Sequence, residues 1–228
     1  NQPMIFVGGG AYDACEEVKI LAETLQAPVV SYQNGRGVLD ERHYLAHTNT
    51  AGAILWDKCD VAISIGCRLQ AERMTWGMDN TIKIIHVDID PTEITRVMKP
   101  DVGIVADASS ATKQIINSLT KYNNKRASRE EEMLNLKGQA NKLMEKKAGP
   151  QMAWLRAIRD ALPENGLFVD EFTQVGYVSR VGFPVYHPRS MVTPGYQGTL
   201  GYGYATALGV KVAHPDKPVV SVLSLIHI

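Results

Sequence analysis

The chain has 228 residues, of which 45% are hydrophobic and 21% charged, a balance typical of globular domains. Basic and acidic residues are equal at 24 each, so the zero formal charge gives no electrostatic reason to expect nucleic acid or an anionic membrane as partner. No apolar run reaches the roughly 18 residues of a membrane-spanning helix, and three separated cysteines without a CxxC pair favour a reducing, cytoplasmic setting.

The first half of the chain alternates apolar runs with helical patterns. Strands are predicted at 3–7, 28–31, 61–65, 83–87 and 102–105, and helices at 18–25, 51–58 and 111–119. Asp90 before Pro91 predicts a further short helix with Asp90 as its N-cap. Strands that alternate with helices pair in parallel, and nearly all-apolar strands are typical of a sheet covered on both faces. Residues 1–121 are therefore predicted to form a doubly wound, Rossmann-like α/β domain.

The composition changes at 122–148, which is dense in asparagine, lysine, arginine and glutamate. This segment is predicted to be an interdomain linker, helical in part. A second α/β unit is predicted at 149–222, beginning with the apolar helix face Trp154, Leu155, Ile158 and Leu162. Its further predicted elements are a strand at 167–169, a helix at 173–181, a Pro- and Gly-rich loop at 182–197, a helix at 199–213 and a strand at 219–222.

Both ends of the sequence suggest an internal fragment. The chain starts without an initiator methionine, two residues before a predicted strand. The last six residues, 223–228, match the translation of a transposon-end adapter used in sequencing libraries, so natural sequence is expected to stop near Val222. The alternative is a genuine buried strand, because residues 219–226 are largely apolar.

Residues suited to a nucleotide follow the strands of the first domain. Ligands of open parallel sheets bind beyond the carboxyl ends of the strands, where glycine lets a phosphate approach the backbone. Arg68 could pair with a phosphate, and Asp88 could hold a ribose hydroxyl. The candidate residues are Gly8, Gly9, Gly10, Gly66, Arg68, Asp88 and Asp107. On spacing alone, a plain glycine turn is an equal alternative.

A run of glycines and alanines at 198–209 opens the last predicted helix. Three closely spaced glycines each disfavour a helix by about 1 kcal/mol relative to alanine. A helix that keeps them is expected to approach a ligand or another backbone. Tight packing of the helix on the sheet is the alternative.

The order of these features resembles the diphosphate-binding domain of thiamine-diphosphate enzymes. A strand, Asp170-Glu171, a helix and a Pro- and Gly-rich loop precede Gly198-Thr199-Leu200-Gly201. The order of the two domains resembles the middle and carboxyl-terminal domains of acetolactate synthase and its relatives. Stretches similar to that middle domain are Val7-Gly8-Gly9-Gly10, Gly35-Arg36-Gly37-Val38-Leu39-Asp40, Ile65-Gly66-Cys67-Arg68, Val87-Asp88-Ile89-Asp90-Pro91 and Asp107-Ala108. The resemblance implies a middle domain followed by the truncated start of a thiamine-diphosphate-binding domain.

The resemblance also implies a cofactor site in the second unit. Leu200 would hold the two rings of thiamine diphosphate in a V shape, with backbone near Gly198 facing the aminopyrimidine. Thr173 and Gln174 would donate hydrogen bonds to the diphosphate. Asp170 precedes them, and the alternative to a place beside the diphosphate is that its side chain caps the following helix. The implied residues are Glu171, Thr173, Gln174, Gly198, Thr199, Leu200 and Gly201.

The implied reaction is decarboxylation of a 2-oxo acid such as pyruvate and ligation to a second carbonyl. Magnesium would be bound by a Gly-Asp-Gly run and a downstream asparagine, expected after Val222. The activating glutamate would belong to a domain before Asn1, supplied by a neighbouring subunit. The resemblance therefore implies no catalytic residue and no metal ligand within this chain, an inactive fragment, and a homodimer or homotetramer for the full-length protein.

The sequence also bears on FAD binding and on two alternative classes of protein. Acetolactate synthases hold a non-redox FAD at positions like Gly8, Gly66 and Asp88, although 47–52 departs from their Met-His-Gly pattern, which puts the flavin in doubt. A nicotinamide-dependent oxidoreductase would need a GxGxxG turn with an acidic residue about 20 positions later, and the chain has neither. A noncatalytic nucleotide-binding module is disfavoured by the run at 198–209.

Overall fold

The computed structural model describes residues 2–77, 81–123, 125–195 and 197–223. The strands are β1 (Pro3–Val7), β2 (Val29–Ser31), β3 (Ala46–Thr48), β4 (Val61–Ile65), β5 (Lys83–Asp88), β6 (Val102–Val105), β7 (Leu167–Val169), β8 (Met191–Val192) and β9 (Val219–Ser221). The α-helices are α1 (Cys15–Leu25), α2 (Asn49–Leu55), α3 (Gln70–Thr75), α4 (Pro91–Ile94), α5 (Ala108–Leu119), α6 (Glu130–Ala161), α7 (Gln174–Gly182) and α8 (Tyr202–Ala213).

Six parallel strands form the first sheet, in the order β3-β2-β1-β4-β5-β6. The central strand β1 places Ile5 opposite Val29 of β2 and Ile63 of β4. Every residue of β1 is buried, as its unbroken apolar sequence requires. The chain reverses its direction of winding between β1 and β4, and such a switch point is where doubly wound sheets open a cleft. We call this sheet with α1–α5 the first unit.

Three parallel strands form the second sheet, in the order β8-β7-β9. Phe168 of β7 pairs with Met191 and with Val220, and its ring stacks on Phe183 with centroids 4.3 Å apart. We call this sheet with α7 and α8 the second unit. The predicted fold class, a doubly wound α/β domain followed by the start of a second α/β domain, is confirmed.

The long helix α6 begins inside the segment that was predicted to be a linker. Met133 and Leu136 are buried in the core of the first unit, whereas Met152 and Leu155 are buried in the core of the second. The backbone leaves helical dihedral angles at Ala148, where the helix kinks. The segment 122–148 is thus helical in part as expected, but one side of its helix is packed rather than exposed. The domain boundaries themselves stay a prediction.

Of the other local predictions, some are confirmed by the structure and some are wrong. Asp90 caps α4, because its carboxylate accepts a hydrogen bond from the Thr92 amide at 2.8 Å. Strand β3 was not predicted, and β8 lies within the predicted loop 182–197. Trp154 was predicted on a buried helix face and is 65% exposed.

Within the described part of the chain, no helix is long and apolar enough to cross a membrane. Of the predicted adapter translation, residues 224–228 lie outside the described residues.

Candidate functional site

A cleft of about 380 Å³ opens at the carboxyl ends of β1, β2, β4 and β5. Its lining residues are Gly8, Gly9, Gly10, Tyr32, Gln33, Asn34, Gly66, Cys67, Arg68, Asp88, Asp90 and Glu93. Six of the seven nucleotide candidates thus come together, because the turns after parallel strands meet at one edge of the sheet. Asp107 is not among the lining residues, and its carboxylate caps α5 by accepting a hydrogen bond from the Ser110 amide at 2.9 Å.

Three glycines of this cleft, Gly8, Gly10 and Gly66, are required by the packing of its own turns. A Cβ on Gly8 would lie 2.3 Å from the carbonyl oxygen of Gly66, and one on Gly10 would lie 2.8 Å from the Gly66 Cα. Gly66 itself has φ of +55°, which disfavours any residue with a side chain. The turns after β1 and β4 therefore touch backbone to backbone. This packing accounts for these three glycines without a ligand, whereas a Cβ on Gly9 would make only ordinary contacts, the nearest at 3.5 Å to Asn34.

Arg68 forms an ion pair with a carboxylate that was not predicted from the sequence. Its Nε lies 2.8 Å from Oε2 of Glu93, and its Nη2 lies 3.0 Å from Oε1. Glu93 is buried and also pairs with Arg96. Asp88 accepts a hydrogen bond from the Asp90 amide at 3.0 Å. The available signal was that Glu93 lies in the first turn of the helix that Asp90 caps, directly after a strand of the predicted site.

The thiol of Cys67 in the same cleft is not suited to nucleophilic chemistry. Burial raises its pKa to about 12, so the thiol stays protonated near neutral pH. The Ser64 hydroxyl donates to the Cys67 carbonyl and fixes the turn. Cys67 therefore offers this cleft no thiolate nucleophile near neutral pH.

A second group of predicted residues meets at the carboxyl end of β7. The Glu171 carboxylate accepts a hydrogen bond from the Gly201 amide, just before α8. A Cβ on Gly203 would lie 2.9 Å from Glu171 Oε2, and one on Gly198 would lie 2.8 Å from the Phe172 ring. The turn after β7 and the glycine-rich segment are thus in close contact, which explains why small residues recur there.

The remaining candidates of the second unit differ in their surroundings. Thr173 caps α7, because its hydroxyl accepts a hydrogen bond from the Gly176 amide at 2.8 Å. Gln174 accepts one from Gln151 of α6 at 3.1 Å. Leu200 is 63% exposed, and Thr199 beside it is also exposed. The structure thus brings Glu171 and Gly201 together, gives Thr173 and Gln174 partners of their own, and leaves Leu200 projecting.

Asp170 does not take the capping role that was its alternative prediction, since Thr173 caps α7. Its side chain is fully buried, and burial raises its pKa to about 6 against the opposing charge of Arg180. The Arg180 Nε lies 3.4 Å from Asp170 Oδ2, and its guanidinium covers the Phe172 ring at 4.5 Å. A buried carboxyl beside a cation and an aromatic ring makes this turn a distinct electrostatic environment.

Two family profiles match the chain. The central domain of thiamine pyrophosphate enzymes matches residues 1–115, and the carboxyl-terminal TPP-binding domain of the same enzymes matches residues 173–224. The first match covers half of the chain and contains the cleft, and the second contains Gly201 and begins just after Glu171. The chain therefore belongs to the thiamine pyrophosphate enzyme family, and within it resembles acetolactate synthase large subunits.

Curated relatives agree with this assignment. A probable acetolactate synthase large subunit of Methanococcus aeolicus is 31% identical over 97% of this chain and 42% of its own length. Another from Methanocaldococcus jannaschii is 31% identical over 97% of this chain and 41% of its length. The acetolactate synthase isozyme 1 large subunit of Escherichia coli is 27% identical over 96% and 40%. The chain spans about two-fifths of the length of these relatives.

Proposed function

We propose that the chain is part of a thiamine-diphosphate-dependent carboligase or decarboxylase that acts on 2-oxo acids such as pyruvate, as acetolactate synthases do. The observation that carries the proposal is the contact between the Glu171 turn and Gly201 at the carboxyl end of β7. This contact lies at the start of α7 and α8, with Gly201 inside the segment 173–224 that is similar to a TPP-binding domain and Glu171 just before it. The relatives' names support the choice of reaction.

The residues of this turn fit thiamine diphosphate in kind. Thr173 and Gln174 offer a hydroxyl and an amide at the start of α7, where a helix favours an anion. Leu200 presents an exposed apolar side chain that would support the rings, and a Cβ added at Gly201 would point into open space. Glu171 would hold the turn before α8 through the Gly201 amide. Bound thiamine diphosphate would supply a thiazolium ring that accepts the electron pair left by departing carbon dioxide.

Flavin fits the first cleft only in part. Asp88 lines the cleft and suits a ribose hydroxyl, whereas Arg68, the candidate phosphate partner, is held by Glu93. Because this predicted partner of the FAD diphosphate is already paired, FAD has no part in the proposed reaction. The oxidoreductase and noncatalytic alternatives have no observation in their favour, since Gly8, Gly10 and Gly66 of the cleft are explained by backbone packing.

The proposal extends to the whole protein. We propose that it uses Mg²⁺, bound by a Gly-Asp-Gly motif after Val222, and that it works in the cytoplasm as a homodimer or homotetramer. In this proposal the activating glutamate comes from a domain before Asn1. The 228-residue chain alone is then expected to be inactive.

The test uses the natural full-length protein with pyruvate, Mg²⁺ and thiamine diphosphate, with carbon dioxide and acetolactate measured. Carbon dioxide release should stop when thiamine diphosphate is dialysed away and return when it is restored. L200A should lower turnover about a hundredfold, because misplaced rings lose their near-attack geometry. L208A is the matched control and should stay within about twofold, since this leucine is exposed on α8. Pyruvate decarboxylation that persists without the cofactor would refute the proposal.

A further inference from the structure

The largest of the fully buried side chains is that of Arg36, in the loop between β2 and β3. Its Nη1 donates to the carbonyl of Arg180 at 2.5 Å and to that of Ser179 at 3.4 Å. Its Nη2 donates to the carbonyl of Phe183 at 2.5 Å. These carbonyls end α7, so a guanidinium of the first unit caps the carboxyl terminus of a helix in the second unit. A cation is favourable at that end of a helix.

Glu41 completes this arrangement. Its carboxylate binds Arg36 through Nε and through Nη2, the latter at 2.7 Å. It also accepts the Val185 amide at 3.0 Å, while the Glu41 amide donates to the Val185 carbonyl at 3.3 Å. A buried ion pair is tolerated when its remaining donors and acceptors are satisfied, as they are here.

The loop around Arg36 has little freedom to move against the second unit. Gly37 has φ of +84°, and a Cβ on it would lie 2.2 Å from the carbonyl oxygen of His187. The backbone of the loop therefore lies directly on that of the second unit. A substitution of Arg36 would remove a defined cap from a fixed loop rather than loosen a mobile contact.

Helix α7 connects this cap to the turn proposed to bind the cofactor. It has nine residues and so spans about 13 Å, with Thr173 capping its first turn and Arg36 its last. A short helix moves as one body, so an error in the position of its carboxyl end displaces its amino end as well. The first turn is where Thr173 and Gln174 would meet the diphosphate.

We propose that Arg36, neutralised by Glu41, is a positioning residue that sets the place of α7 and thereby the affinity for thiamine diphosphate. This inference rests on the proposed function of the Glu171 turn. Arg36 does not touch the proposed site and acts through the helix. Its loss should therefore weaken cofactor binding, while turnover at saturating cofactor changes little.

The experiment uses the natural full-length protein with three variants, R36M, R36M/E41M and R42M. Arg42 is the matched control, because it lies in the same loop and reaches the second unit at Glu164, 2.8 Å away, but its side chain is 53% exposed and pairs away from α7. Affinity for thiamine diphosphate is measured by calorimetric titration and turnover at saturating cofactor by carbon dioxide release. Stability is measured without cofactor, by thermal unfolding of the protein and by amide hydrogen exchange of 174–183.

R36M should raise the dissociation constant of thiamine diphosphate about tenfold and accelerate exchange in 174–183, with saturated turnover within about twofold. R36M/E41M should recover thermal stability, because Glu41 is no longer buried without a partner, yet keep the weakened affinity. R42M should match the unaltered protein in all three measurements. A purely structural Arg36 would instead show affinity recovering together with stability in R36M/E41M.

Three outcomes overturn the inference. They are unchanged affinity in both Arg36 variants, affinity that recovers with stability in R36M/E41M, and an equal loss of affinity in R42M. If R36M does not fold, R36M/E41M decides by the same criteria. If the unaltered protein binds no thiamine diphosphate, the proposed function fails, and the positioning role fails with it. That result differs from normal thiamine diphosphate binding that is unaffected by substitution of Arg36, which contradicts the positioning role alone.

Discussion

The two units differ in how completely their elements are covered. In the first, all of β1 is buried and α1 buries Val18, Leu21, Ala22 and Leu25. In the second, β9 is only half-buried, and α8 exposes Tyr204, Leu208 and Val212, four residues apart along one side. Apolar residues are therefore buried on a helix of the first unit and exposed on a helix of the second. Coverage, more than residue type, predicts where a substitution changes the free energy of unfolding.

Glycine gives the largest expected contrast. In G66A the new Cβ would lie 2.5 Å from the backbone of Gly10 at φ of +55°, so the free energy of unfolding should fall by about 4 kcal/mol. G209A is the control, because among the described residues no atom outside its own stretch of helix lies within 4 Å of its Cβ position, and alanine favours a helix by about 1 kcal/mol. Urea denaturation measures both, and equal effects of the two substitutions would contradict the difference in coverage.

Leucine gives the next contrast. L21A should lower the free energy of unfolding by about 3 kcal/mol, because Leu21 is fully buried in α1 and its loss leaves a cavity. L208A should change it by less than about 0.5 kcal/mol, since Leu208 is 53% exposed on α8. Thermal and urea unfolding of the two variants in one buffer measure this difference in the free energy of unfolding. A loss in L208A as large as that in L21A would show that α8 is covered in solution.

Two buried ionisable groups, one in each unit, should respond to pH in opposite directions. Burial raises the pKa of Asp170 from 3.8 to about 6, so its contribution to stability is full at low pH and is lost as pH rises through this range. Burial, together with the nearby charges of Lys137 and Arg129, lowers the pKa of His47 from 6.5 to about 3. The contribution of His47 is therefore full above pH 6.5 and is lost as pH falls.

These opposite slopes partly cancel between pH 4 and 6 and can be separated by substitution. Relative to the parent, D170N should gain stability with rising pH and H47Q should lose it, each by at most about 1.4 kcal/mol per pH unit. Chemical denaturation at pH 4, 5 and 6 measures the difference. Curves that run parallel to the parent in either variant would show that the group titrates normally in the folded protein.

The sequence predicted most of the first unit because its strands are continuous apolar runs. The predicted bounds of β1, β4 and β6 match those of the structure. Six cleft residues could be placed together because parallel strands present their carboxyl ends at one edge. The bounds of β7 also match, so an all-apolar run was informative even in the less covered unit.

What escaped prediction depends on contacts between distant residues. Strand β3 has three residues and pairs only with β2, and β8 has two, so neither carries a periodic pattern of its own. The pairing of Arg68 with Glu93 and the capping of α7 by Arg36 join residues 25 and more than 140 positions apart. By contrast, Met133, Leu136 and Ala140 have the spacing of a buried helix face, a signal that the charged surroundings of that segment obscured.

Helix α6 contributes side chains to the cores of both units, with Met133 in one and Leu155 in the other. Neither core can melt completely without freeing part of this helix. The ladder of helical hydrogen bonds is weakest at Ala148, where the dihedral angles depart from helical values, and Pro150 follows with no amide to donate. Partial melting of either unit should therefore stop near this joint, so we expect the boundary between two cooperative folding units at the kink rather than in the charged segment before it.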